Sequence, residues 1–162
     1  MTTEIEVEER RLDHDGWAAA LLAQRWGSTR VVSRGQLHDA ARLPGFVATL
    51  ADENAGLVTY RIEGEECEIV TLDSLVAAKG IGLALINAVV RKAKAAGCRR
   101  LWLVTTNDNL NALRFYQKRG FRLVAVHANA LERSRRLKPQ IPLIGQDGIP
   151  LRDEIELELA LA

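Results

Sequence analysis

The sequence predicts an α/β domain in which one mixed sheet is covered by helices in three layers. Three observations point there. The first half reads as a succession of strands around one helix, and the second half alternates strand, helix, strand, helix, strand. The 162 residues, 48% hydrophobic and 27% charged, suit a single domain over residues 1–162 that buries its core without disulfide or metal staples. No internal repeat, linker or low-complexity segment divides the chain.

Residues 4–12 alternate Ile5 and Val7 with charge, a first strand. Asp13 and Asp15 supply helix-start chemistry for an alanine- and leucine-rich helix over 17–26, stopped by Gly27. Residues 29–33 are a short β-like run, and 37–42 are expected to form a helical turn ahead of Pro44-Gly45. Residues 46–50 and 57–62 read as strands around a turn at 52–56, and a second turn at 63–65 leads into a longer strand over 66–75. The most regular segment is 82–96. Leu83, Leu85, Ile86, Val89 and Val90 recur at helical spacing, Arg91, Lys92 and Lys94 fill the last turns, and Gly97 ends the helix.

Residues 101–105 are a nearly continuous apolar run, the pattern of a strand buried on both faces. Asn109 can cap a helix over 110–119 that stops at Gly120. A strand over 121–127, a helix over 131–137 and a proline- and glycine-bearing loop over 138–150 follow. Residues 154–161 alternate Ile155, Leu157, Leu159 and Leu161 with charge, a half-buried last strand. The stretch 128–152 is therefore a long insertion, of a length expected to serve function or oligomerisation.

Composition excludes several classes. A net charge of +1 supplies no global field for a nucleic-acid or membrane partner. The arginine clusters Arg10-Arg11, Arg99-Arg100 and Arg133-Arg135-Arg136 read as solvated element ends. Cys67 and Cys98 sit in apolar patterns as reduced core residues, without the ligand spacing of a zinc site, so no metal is expected. No basic-headed apolar leader and no run of roughly 18–20 apolar residues is present, so a cytoplasmic protein is expected.

The chemistry concentrates after the 66–75 strand. Lys79-Gly80-Ile81-Gly82 opens the next helix, where unpaired backbone N–H groups and the helix dipole favour an anion. Glycines also open helices for packing reasons. The loop lacks the Gly-Lys-Ser/Thr of a Walker A site, and Leu85 stands where a dinucleotide fingerprint needs a small residue. Downstream lies Asn109-Leu110-Asn111-Ala112-Leu113-Arg114-Phe115-Tyr116, closed by Gly120-Phe121. Together, Gly80-Ile81-Gly82, Asn109, Ala112, Tyr116 and Gly120-Phe121 resemble the GNAT N-acetyltransferase superfamily, most clearly over residues 66–127. Ala77 departs from the pattern, since the family usually has Arg or Gln there, and Ala78 often is Gly. Cofactor binding is then expected to rest on backbone amides and Lys79.

The resemblance implies a mostly antiparallel, twisted sheet of about six to seven strands with helices on both faces. It implies an acetyltransferase that uses acetyl-CoA, releases CoA and moves the acetyl group directly to a primary amine. The acceptor would be a small molecule or, less in keeping, a protein or peptide amine. The alternative is a non-catalytic acyl-CoA-binding sensor, and the molecule would be a monomer or a homodimer. The implied cofactor-binding residues are Leu72, Asp73, Ser74, Ala78, Lys79, Gly80, Ile81, Gly82, Asn109 and Tyr116. Within this set a backbone N–H near Leu72 would hold the oxyanion, and Asn109 serves as cofactor contact or helix cap.

Tyr116, with an ordinary pKa of about 10, can protonate a departing thiolate whose conjugate acid has a pKa of about 8.5. An alkyl amine of pKa about 10.4 must lose a proton, at roughly 4–5 kcal/mol, which calls for a base. Glu68 is preferred, with Glu66 and Asp73 as alternatives, and each also reads as a solvent-facing strand residue. Strand alternation puts Glu66 and Glu68 on one face and Asp73 on the other if the strand carries no bulge. Trp26, Arg30, Arg34 and His38 are the candidates for lining the acceptor pocket, the two arginines facing an acceptor carboxylate or phosphate.

Overall fold

A computed structural model describes residues 4–77 and 79–161. Its centre is a seven-stranded sheet in the order β1 (Ile5–Glu9), β4 (Gly45–Leu50), β5 (Glu53–Glu63), β6 (Glu66–Ser74), β7 (Arg100–Thr106), β9 (Glu154–Ala160), β8 (Arg122–His127). Every neighbouring pair is antiparallel except β6 with β7. A separate hairpin, β2 (Arg30–Ser33) and β3 (Gln36–Asp39), stands beside it. The helices are α1 (Asp15–Trp26), α2 (Ile81–Ala95), α3 (Leu110–Lys118) and α4 (Ala130–Leu137).

Side-chain alternation sorts the core into two layers. Val58 and Tyr60 of β5 face α2, where Ile81, Leu85, Ile86 and Val89 pack with Cys67, Ile69, Leu101, Leu103 and Leu157. Leu57, on the opposite face, joins Val47 and Val70 against Ala18, Leu21 and Leu22 of α1 and Val31 of the hairpin. Both cysteines are free and buried, and burial pushes the Cys67 thiol up to about 12.

The structure corrects four sequence expectations. Residues 37–39 are strand rather than helical turn, because Arg34 and Gly35 both take positive φ (49° and 75°) and close a tight hairpin. Only Ala40–Arg42 winds into a 3-10 turn, capped by Asp39. The β4–β5 turn sits at Ala51-Asp52, again with two positive φ values, so residues 53–56 belong to β5.

The most consequential correction lies in β6. Thr59 pairs with Thr71 and Tyr60 with Ile69, leaving Val70 as an extra, bulged residue. One inserted residue reverses the alternation beyond it. Glu68 and Asp73 therefore project to the same face, where they reach Ser33 of the hairpin and Trp26 of α1 respectively.

One arginine of each cluster is a fastener, since a guanidinium offers five donors in a fixed fork, while Arg11, Arg99, Arg133 and Arg136 are exposed as expected. Arg10 binds the Leu43 and Ala41 carbonyls, Arg100 gathers Glu66, Glu156 and Glu158, and Arg135 donates to the carbonyls of Ile141, Pro142 and Leu151. Arg135 thereby shapes the 128–152 segment from within. Asn107 Oδ1 accepts from the N–H groups of Arg152 and Asp153, and Asp108 accepts from the N–H of Gln146, which ties the segment to the β7–α3 connection. Among the described residues no helix is long and apolar enough to cross a membrane, and no cluster of three or more His, Cys, Asp or Glu side chains could hold a metal ion.

Candidate active site

Strands β6 and β7 pair only where Glu66, Cys67 and Glu68 meet Arg100, Leu101 and Trp102. Beyond that point they diverge, and the β7-facing edge of β6 has no ladder partner. The chain enters α2 after β6 and α3 after β7, so both helix N-termini stand at the carboxyl ends of the two parallel strands, where α/β sheets commonly bind ligands. Two cavities open here, one of about 420 Å³ on the α3 side and one of about 600 Å³ on the side of α1 and the hairpin. They share walls at Arg25, Trp26, Ile69, Val70, Val104, Thr105 and Asn109. The two cavities therefore adjoin where β6 and β7 separate.

The α3 side carries the motif residues. Gly80 is the N-terminal boundary of α2 at φ 79°, a conformation that favours glycine. The N–H groups of Ile81, Gly82 and Leu83 have no partner within the helix. Gly82 is a packing glycine as well, because a Cβ there would lie 2.9 Å from Phe115 Cζ. Lys79 and Ser74 are exposed, Ser74 Oγ donates to the Val76 carbonyl at 3.1 Å, and neither residue, nor Gly80, Ile81 or Gly82, lines the two cavities. Ala78 lies outside the described residues. Asn109 Oδ1 accepts from the Ala112 N–H at 3.1 Å while the residue lines both cavities, so cap and wall are one residue. Leu72 and Leu103 form the apolar walls.

Tyr116 and Asp73 share the smaller cavity. Tyr116 is buried edge-on between Phe115 and Phe121, with centroids 5.2 and 5.3 Å away. Burial, and then the nearby Asp73, hold its hydroxyl well above the ordinary tyrosine pKa, so it stays protonated. Asp73 is 9% exposed and its Oδ2 accepts from Trp26 Nε1 at 2.9 Å. Burial raises the Asp73 pKa, with the Trp26 hydrogen bond and Arg25 pulling the other way. Asp73 Oδ1 has no hydrogen-bond partner among the described residues.

The larger cavity is built from distant segments. Glu68, 2% exposed, lines it with both oxygens engaged: Oε1 accepts from Arg61 Nε at 2.7 Å and Oε2 from Ser33 Oγ at 2.5 Å. Glu66 lines neither cavity and is held by Arg100. Of the four expected pocket residues, only Trp26 lines the two cavities. Arg34 spends its charge on Glu154, with Nη1 donating to Oε1 at 2.9 Å. Arg30 is exposed at the start of β2, outside the lining. His38 also lies outside it, its Nε2 buried without a partner, and burial lowers its pKa against the opposing pull of Glu68.

Four buried polar lining residues escaped the sequence reading: Ser33, Ser134, Lys138 and Glu154. None sits in a motif. A polar residue at a strand end, in a polar helix or in a loop gives no local signal of burial. Glu154 shares a sheet face with Glu156 and Glu158, which Arg100 binds, so alternation alone does not single it out.

The profile of the Acetyltransferase (GNAT) family matches residues 7–121. The chain belongs to the GNAT acetyltransferase family. This GNAT protein is 48% identical to the uncharacterized protein YdhI of Bacillus subtilis over 134 residues, 82% of this chain and 84% of that one. It is 41% identical to YxbD of the same organism over 86% of this chain and 88% of that one. Its fold is similar to that of an IAA acetyltransferase from Bacillus cereus, with a TM-score of 0.74 at 24% identity over 98% of this chain and 100% of the other. It is also similar to a GNAT family acetyltransferase from Elizabethkingia anophelis solved with acetyl-CoA bound, with a TM-score of 0.71 at 21% identity over 99% and 100% of the two chains.

Proposed function

We propose that this chain transfers an acetyl group from acetyl-CoA to a primary amine of a small molecule. The observation that carries the reading is the pair of adjoining cavities where β6 and β7 separate, one lined by Tyr116 and Asp73 and the other by the buried Glu68, Lys138 and Glu154. A GNAT relative of known structure binds acetyl-CoA, and the residues here fit such a group. The free N–H groups of Ile81, Gly82 and Leu83 suit its phosphates, the unpartnered edge of β6 near Leu72 suits its amide-bearing arm, and Leu72 and Leu103 suit the arm's apolar parts. Ala77 offers no side-chain donor, which leaves Lys79 as the mobile cation beside the helix start.

Acetyl-CoA, when bound, supplies a thioester-activated acetyl group. Asp73 holds the position of proton acceptor. Its Oδ1 has no partner among the described residues, and burial raises its pKa, which improves a general base. Glu68 serves better as a positioning residue, because taking a proton on either oxygen would displace Arg61 or Ser33. Tyr116 keeps a proton at its hydroxyl beside the same cavity, available to a departing thiolate. Trp26 orients the Asp73 carboxylate and forms the wall between the two cavities.

The test is thiol release from acetyl-CoA over a panel of polyamines, amino acids, aminoglycosides and peptides. Turnover with at least one small amine is expected. Saturable acetyl-CoA binding with no turnover on any amine would refute the transfer reading in favour of a cofactor sensor.

A further inference from the structure

The larger cavity has an unbalanced charge. Glu68 and Glu154 line it, but each already faces an arginine, Arg61 and Arg34 respectively. Lys138 also lines it, is 7% exposed, and has no carboxylate within ion-pair distance among the described residues. Its Nζ donates to the Trp26 carbonyl at 2.7 Å, which uses one of three ammonium donors. The other lining cation, Arg25, is exposed at the rim. With both acids neutralised, the interior is left one positive charge in apolar surroundings of Val31, Val70, Leu131 and Ile141. Desolvation lowers the Lys138 pKa, the expected response of a cation without its counter-ion.

Trp26 sets this charge against the reacting end. Its carbonyl holds Lys138 and its indole Nε1 holds Asp73, so one residue spaces the ammonium from the carboxylate. Lys138 lines only the larger cavity, Asp73 and Tyr116 only the smaller. A single acceptor lying across the two adjoining cavities meets a proton acceptor at one end and a cation at the other.

We propose that Lys138 anchors an anionic group of the acceptor, so that the substrate is an amine that also bears a carboxylate or a phosphate. This rests on the transfer reading above and assigns to Lys138 the task that sequence alone offered to Arg30 and Arg34. The competing account is structural: Lys138 merely fastens the insertion to the last turn of α1. Lys138→Gln separates the two, since glutamine can still donate to the Trp26 carbonyl but carries no charge. Lys138→Arg restores the charge.

The experiment compares kcat/KM for 4-aminobutyrate, its neutral amide, 3-aminopropyl phosphate and butylamine. The unaltered protein is expected to prefer one anionic amine over the neutral ones by roughly ten- to a hundredfold, the range of a charge-assisted hydrogen bond in a desolvated site. The carboxylate and phosphate arms decide which anion. Lys138→Gln should bring that preference within about threefold of unity through KM, and Lys138→Arg should retain most of it. Equal use of anionic and neutral amines by the unaltered protein, or a preference that survives Lys138→Gln, overturns the proposal. Calorimetric titration with 4-acetamidobutyrate and 3-acetamidopropyl phosphate needs no turnover. Charge-dependent binding without catalysis would keep the anchor and sink the transfer reading, whereas turnover without anion preference would do the reverse.

Discussion

Replacing Asp73 by Asn should slow the enzyme and stabilise the protein at once. Asparagine keeps the shape and, through its Oδ1, an acceptor for Trp26 Nε1, now 2.9 Å from the carboxylate. What it removes is a charge held 9% exposed, whose pKa burial raises. A carboxylate whose folded pKa lies above its unfolded one binds a proton more readily when folded. Its contribution is fully present below the unfolded value of about 3.9 and is lost as pH rises through the folded pKa, so at pH 7 the ionised group works against folding. Relief of that term should raise stability by about 1 kcal/mol, or roughly 2–4 °C in Tm for a domain of this size.

Loss of a general base lowers turnover by about 10²–10⁴, equivalent to roughly 3–5 kcal/mol of barrier. Thiol release measured against pH, beside thermal melts from pH 4 to 8, reads both effects. The rate of Asp73→Asn should lose the acidic limb that Asp73 sets, and its melting curve should lose the fall in stability on leaving acid. Unchanged turnover would remove Asp73 from the chemistry. A lowered Tm at neutral pH would refute the reasoning about its burial.

Tyr116→Phe should lower kcat by about 10²-fold or more with little change in acetyl-CoA affinity by calorimetry, and an unaltered kcat takes Tyr116 out of the reaction. Glu68→Gln should cost about 1–3 kcal/mol in melts, because Arg61 loses a charged partner but keeps Glu63 and is itself 23% exposed. Its turnover should fall much less than that of Asp73→Asn, and an equal or larger fall would return the base to Glu68. Gly82→Ala puts a Cβ 2.9 Å from Phe115, whose ring is stacked under Arg119 at 4.1 Å, and should cost about 1–3 kcal/mol of stability by thermal melt. A Tm within a degree of the unaltered protein would mean that the α2–α3 contact gives way easily.

The sequence by itself determined the elements whose signals are local. The apolar spacing of Leu85, Ile86 and Val89 specifies α2, and the buried run of 101–105 specifies β7. Asn109 marks the start of α3, because a cap acts over three residues. The helix start at Gly80 was legible for the same reason, since its N–H groups come from consecutive residues. Two positive-φ hairpin turns were not, because Arg34-Gly35 and Ala51-Asp52 lack the Asn-Gly or Asp-Gly pairs that announce them.

Tertiary structure decided the rest. The Val70 bulge is a mismatch between two strands, invisible in either one, yet it turns Asp73 to the face of Trp26. The larger cavity, the proposed acceptor site, is closed by contacts between Ser33 and Glu68, 35 residues apart, Trp26 and Lys138, 112 apart, and Arg34 and Glu154, 120 apart. Cofactor chemistry is written in short segments because helix ends make it. Acceptor chemistry is written in none, because its polar groups come to share a cavity only when the sheet, the hairpin and the insertion have packed.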